Sequence, residues 1–180
     1  MFYLLESLTN FEKKIMAKIT LKGNPINTSG DLPGKGHKAP DFTLVKSDLT
    51  TLSLSELAGK KVLLSIFPSL ETSVCASALR KFNKHAADKS NVAVLAISKD
   101  LPFAHGRFCS TEGISNLTTL SGFRDTEFGK LYGVDIVDGP WTGLYARSVV
   151  VLDEEGKVIY TQLVPEIATE PDYDKVLGLL

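Results

Sequence analysis

The sequence is poor in the residues that staple or metallate a small protein. Two cysteines, Cys75 and Cys109, occur in 180 residues, too few for a disulfide framework. Neither lies in a Cys-x-x-Cys or zinc-like spacing, and no cluster of histidine and cysteine marks a metal or cofactor site. His37 stands alone in a loop and reads as solvated; His105 has no second ligand at metal spacing and is assigned no role. An excess of one charge is missing too. The formal net charge of −1 gives no broad reason to expect nucleic acid or an anionic membrane as partner. No apolar run approaches the length of a membrane-crossing helix. Met1 to Ile15 has some apolar character, but Glu6, Glu12 and two late lysines interrupt it. It has neither a basic start nor a small-residue cleavage site, so no secretory pattern is present and the expected location is cytoplasmic. Internal repeats and low-complexity tracts are absent.

What is present is ordinary for a globular chain. The 43% of apolar and 23% of charged residues fit a single domain with a substantial core. Its expected extent is 16–180, with 1–15 an upstream extension, because the motifs described below begin after Met16. From Lys18 to Ser29 an alternating stretch broken by Gly23-Asn24-Pro25 predicts a β-hairpin turning there. Asp31 to Lys38, rich in glycine and proline, predicts a loop, and Leu52 to Leu57 a short helical turn. Val62-Leu63-Leu64-Ser65-Ile66-Phe67 reads as a strand buried on both faces. Val74, Ala78, Leu79, Phe82 and Ala86 then recur at helical spacing, through Lys89. Val92 to Ile97 is a second buried strand, which completes a right-handed βαβ unit.

Asp100 is placed to cap the next helix, with Pro102 in its first turn, Cys109 near its end and Gly113 as its stop. A short strand at 117–120 and a short helix at 125–132 follow. Arg147 to Leu152 and Val158 to Leu163 flank Asp153-Glu154-Glu155-Gly156, a strong hairpin signal, and a helix after Pro171 closes the chain. The order predicts an α/β fold with a central sheet flanked by helices and an N-terminal β-hairpin. Trp141, after Gly139-Pro140, reads as a packing or interface residue rather than a catalytic one.

Chemistry concentrates where the first buried strand turns into a helix. Cys75 lies in or near the first turn of that helix, where free backbone N–H groups and the positive end of the helix dipole favour a thiolate over a thiol. Thr72, three residues earlier, is close enough to hydrogen-bond the sulfur, and Pro68 closes the strand and shields one side. Taken singly, a threonine there is a cap, a proline is the end of a strand, and the two cysteines are either inert core thiols or a redox pair.

The string Phe67-Pro68-Ser69-Leu70-Glu71-Thr72-Ser73-Val74-Cys75, followed by Arg80-Lys81-Phe82-Asn83, resembles the active-site signature of the thiol peroxidase branch of the peroxiredoxins. The similarity continues through Asp100-Leu101-Pro102-Phe103-Ala104, Arg107-Phe108-Cys109, Tyr145-Ala146-Arg147 and Glu170-Pro171-Asp172-Tyr173, and spans nearly everything from Lys18 onward. Glu71 stands where the branch more usually has aspartate; the charge is kept. The resemblance implies a thioredoxin-like fold and a peroxidatic Cys75, with Thr72 and Arg147 contacting the sulfur and the peroxide. It further implies Cys109 as a resolving cysteine forming an intrachain disulfide, thioredoxin as reductant, a homodimer, and neither cofactor nor metal. Two other classes fit the same cysteines: a peroxide sensor that signals rather than turns over, and a structural module with inert thiols.

Overall fold

The structure, a computed structural model, describes residues 16–87 and 89–180; the extension assigned to 1–15 lies outside the described residues. Its centre is a seven-stranded mixed sheet in the order β4-β3-β7-β6-β5-β8-β9. Strands β5 (Lys61–Ile66), β6 (Val92–Ser98) and β7 (Thr118–Ser121) run parallel at its middle. β8 (Ser148–Leu152) and β9 (Val158–Leu163) extend it antiparallel on one side, and β3 (Thr43–Lys46) and β4 (Thr51–Ser53) on the other.

Alternation along β5 divides its side chains between two cores. Leu63, with Val94, Val149 and Val151, packs under α1 (Ser73–Ala86) and α4 (Tyr173–Leu177) through Ala78, Phe82, Ala86 and Val176. Val62, Leu64 and Ile66 point the other way, to Leu95, Ile97, Phe128 and Tyr132, the last two at α3 (Phe128–Leu131) and its end. Both faces being covered explains the unbroken apolar runs. Helix α2 (Pro102–Glu112) lies on the α1 side, since Phe108 and Cys109 pack against a cluster holding Cys75, Leu79 and Ala96. Both cysteines therefore share one face of the sheet.

The N-terminal hairpin, β1 (Lys18–Leu21) with β2 (Asn24–Asn27), forms a separate two-stranded sheet. Its turn is Lys22-Gly23, one place earlier than predicted, with φ of 52° and 80°. Two consecutive left-handed residues make the turn that matches strand twist, and Pro25 is tolerated in β2 because that strand is an edge. The hairpin is tied to the chain's last third: Ile167 N–H donates to Thr20 O (2.9 Å), and the Glu166 carboxylate accepts from Lys22 and Gly23 N–H (3.0 Å each).

Other departures have local causes. The β3–β4 hairpin, unpredicted, turns at left-handed Leu49 (φ 70°), where Asp48 accepts from Thr50 N–H at 3.0 Å. Helix α1 ends at Ala86 rather than Lys89, whose N–H turns back to Ala86 O (3.2 Å). Helix α3 is shorter than 125–132 because the Asp125 carboxylate, outside it, accepts from Phe128 N–H at 2.6 Å. Asp100 does not cap α2: Leu101 holds the N-cap position without a side-chain bond, and Pro102 sits in the first turn as expected. Gly113 ends that helix in the left-handed region (φ 64°), its N–H on Cys109 O. Trp141 packs at the hairpin with Ile19, Leu21 and Ile26.

Candidate active site

The site forms where β5 gives way to α1. Phe67 N–H still donates to Ile97 O of β6 at 3.0 Å; Pro68, buried and without an N–H, ends that ladder. Thr72 is the N-cap of α1, its backbone extended (φ −90°, ψ 136°) and its hydroxyl accepting from Cys75 N–H at 3.4 Å. The fold thus places Cys75 third in the helix, at the end where backbone donors are free. The side chain is completely buried.

Two donors meet its sulfur. Thr72 Oγ1 lies 2.7 Å from Cys75 Sγ and 3.2 Å from Ser69 O. Arg147 Nη1 lies 3.2 Å from the sulfur. Arg147, the residue before β8, is 3% exposed, and its Nε donates to Ile167 O at 2.8 Å. That second bond fixes the plane of the guanidinium and leaves the other edge for the sulfur. A buried guanidinium needs partners for its donors, and Ile167 O and the Cys75 sulfur are two of them.

Cys109 has different surroundings. It lies half-buried in the last turn of α2, and its Sγ has only a weak contact, 4.0 Å, to Thr119 Oγ1. Burial pushes the Cys109 thiol pKa up, and the Thr119 contact only partly opposes this. Both cysteines are free thiols.

Asp100, predicted as a cap, instead supports the Cys75 loop. Its Oδ1 accepts from Ser69 Oγ (2.8 Å), and its Oδ2 from Leu70 N–H (2.8 Å) and Ser98 Oγ (2.7 Å). Sequence spacing carries no signal for contacts thirty residues apart; the Ser98-x-Asp100 pair, a common local motif for a side-chain turn, is the one available hint. Glu71 is 73% exposed and pairs with Arg107 on α2 at 2.9 Å, away from the sulfur. His37 is exposed, as predicted, whereas His105 is fully buried. Among the described residues no three His, Cys, Asp or Glu side chains gather as a metal site.

The redoxin family pattern matches residues 34–177, a span that contains every side chain of this site. Thiol peroxidases of Mycobacterium bovis and Mycobacterium tuberculosis are each 54% identical to the chain over 165 residues, 92% of this chain and 99% of theirs. The chain belongs to the redoxin family. Among solved structures, a peroxiredoxin-like protein from Aquifex aeolicus superposes with a TM-score of 0.85 at 41% identity, covering 91% of this chain and 96% of that one. A thiol peroxidase from Chromobacterium violaceum shares the fold, with a TM-score of 0.82 at 22% identity over 90% of this chain and 94% of its own. This redoxin has the thioredoxin-like peroxiredoxin fold expected from the sequence, and it is a peroxidase of the thiol-dependent kind, acting on peroxides with a thioredoxin-type reductant. No helix among its described residues is long and apolar enough to cross a membrane.

Proposed function

We propose that Cys75 is the peroxidatic residue and Cys109 the resolving one in a cycle that reduces hydrogen peroxide and alkyl hydroperoxides. The observation that carries this reading is a buried sulfur at a helix N-terminus with a guanidinium at 3.2 Å and a hydroxyl at 2.7 Å. The Cys75 thiolate attacks one oxygen of the O–O bond, the other oxygen takes a proton and leaves as water or an alcohol, and the cysteine becomes a sulfenic acid. Thr72 and Arg147 hold the thiolate and offer donors to the oxygens as charge moves onto the leaving one. Pro68, buried at the end of β5, is assigned to shield one side of the site. Burial keeps Cys109 a thiol at neutral pH, so the attacking sulfur is the one that faces the guanidinium.

Cys109 then condenses with the sulfenic acid, releasing water and forming an intrachain disulfide. Thioredoxin reduces the bridge by thiol–disulfide exchange and is itself oxidised. Because the two sulfurs sit at opposite ends of separate helices with different partners, forming the bridge requires local opening of the first turn of α1, the last turn of α2, or both. No cofactor or metal enters this cycle. The functional unit is 16–180, working in the cytoplasm as a homodimer. Leu101 and Phe103, 51% and 69% exposed, line one hollow at the start of α2 and support pairing of two copies.

Peptide mapping after one equivalent of peroxide tests the reading. A Cys75–Cys109 bridge within one chain is expected, formed equally at high dilution. Cys75→Ser should abolish peroxide consumption, whereas Cys109→Ser should consume one equivalent and then stall with thioredoxin, thioredoxin reductase and NADPH. A predominantly interchain product would overturn the mechanism.

A further inference from the structure

We propose that Asp100 is a positioning residue for the reaction, clamping the Cys75 loop in its attacking arrangement and, through Ser98 and His105, tying that loop to the helix that carries Cys109. The proposal rests on the assignment of Cys75 as the attacking sulfur and Cys109 as the resolving one. It concerns what decides between the two arrangements that those roles demand.

The loop between Pro68 and Thr72 has no ladder of its own once β5 has ended. Its Ser69 hydroxyl and Leu70 N–H are both spent on the Asp100 carboxylate, at 2.8 Å each. Asp100 is itself fixed at the end of β6, where its carbonyl accepts from the Ser121 hydroxyl of β7 and its N–H reaches Ser98 Oγ at 3.2 Å. The loop is thus anchored to the rigid centre of the sheet by one side chain. Ser69 O also accepts from Thr72 N–H at 3.3 Å, so the clamp reaches the residue whose hydroxyl meets the sulfur.

The same carboxylate continues toward Cys109. Ser98 has one hydroxyl proton. A carboxylate only accepts, so that proton goes to Asp100 Oδ2 (2.7 Å), and the 2.9 Å contact between Ser98 Oγ and His105 Nε2 must be donated by the imidazole. Nε2 of His105 therefore carries a proton, and its buried Nδ1 has no partner among the described residues. The carboxylate facing this group is Asp100; burial outweighs that charge and lowers the His105 pKa to about 4. His105 lies one helical turn before Cys109 on α2. The chain of contacts Ser69–Asp100–Ser98–His105 ties the Cys75 loop to α2, and local opening at either end to form the disulfide works against it. Two further ties across the same gap, Glu71–Arg107 and Arg80–Glu112, are exposed ion pairs of small worth, whereas the Asp100 bonds are shielded and charge-assisted.

Weakening the clamp should therefore act with opposite sign on two steps. Asp100→Asn keeps the shape but removes the charge and turns an amide N–H₂ toward donors. With samples quenched by an alkylating reagent and mapped by mass, oxidation of Cys75 by hydrogen peroxide should slow by roughly tenfold or more. Conversion of the sulfenic acid to the Cys75–Cys109 bridge should quicken, and the sulfinic fraction at high peroxide should fall, since a second peroxide attack needs the closed loop. Ser69→Ala, which removes one bond and leaves Asp100 in place, should shift both rates the same way by roughly threefold and guards against a variant that fails to fold. Equal slowing of both steps, or no change in either, would overturn the positioning role while a normal bridge in the unmodified protein left the cysteine assignment standing. Absence of that bridge in the unmodified protein would overturn both.

Discussion

The two cysteines are the instructive pair in this molecule. They share one face of one sheet, yet Cys75 sits at the N-terminal end of α1 and Cys109 at the C-terminal end of α2. Helix dipoles point opposite ways at these places, favouring negative charge at the first and opposing it at the second. The more buried sulfur is the one with charge-stabilising partners, Arg147 and Thr72; the half-buried one has a single hydroxyl at 4.0 Å. Exposure alone would rank the two in the reverse of the order proposed above. What matters is which groups replace water around the sulfur.

Removing the guanidinium should do most to erase the difference. Arg147→Met is expected to slow peroxide attack by about 10²–10³, the scale of losing one preorganised donor, and to slow alkylation of Cys75 at pH 6. Circular dichroism should show the fold intact, because Ile167 loses only one bond. Unchanged alkylation would remove Arg147 from the mechanism.

On the Cys109 side the largest lever is His105. Its folded pKa of about 4 lies below its ordinary 6.5, so the unfolded chain binds this proton more tightly. The stabilising contribution is complete above pH 6.5 and is lost as pH falls from 6.5 toward 4, on the order of 3 kcal/mol in all. Urea unfolding at pH 7 and pH 4.5 should show His105→Gln losing about 2 kcal/mol less than the unmodified protein over that interval. Equal losses would mean that the imidazole is not held neutral by the fold.

The two threonines allow a finer comparison. Thr72→Val should slow peroxide attack about tenfold, as expected for one hydrogen bond to a charged group. Thr119→Val should alter bridge formation by less than about twofold, because a 4.0 Å sulfur contact carries little. Similar effects from both would remove the asymmetry drawn here. Smallest of all should be deletion of residues 1–15: a chain starting at Met16 is expected to keep its melting temperature and its peroxidase rate.

Legibility followed distance along the chain. Cys75 and Thr72 are three residues apart, so helix geometry alone suggested their contact, and the 2.7 Å separation agrees. Arg147 is 72 residues from Cys75; no periodicity points to it, and it entered through family resemblance. Buried strands such as β5 and β6 announced themselves because both faces are covered. β3 and β4 did not, being short, partly exposed and defined only by pairing with each other and with β7. Asp100 shows a local rule overridden. An aspartate before a proline-led helix reads as a cap, yet three donors from the neighbouring loop and strand satisfy its carboxylate better than one helix N–H.

The peptide units around Ile167 carry a consequence beyond packing. The N–H of Ile167 is held by Thr20 in the first strand, and its carbonyl holds the Nε of Arg147. The N-terminal hairpin is thereby tied through one residue to the guanidinium that faces the Cys75 sulfur. How it is seated sets where Ile167 O stands, and that oxygen sets the tilt of the guanidinium. Substitutions at the hairpin turn or at Glu166 should be felt at Cys75 as an error of aim before they are felt as a loss of stability.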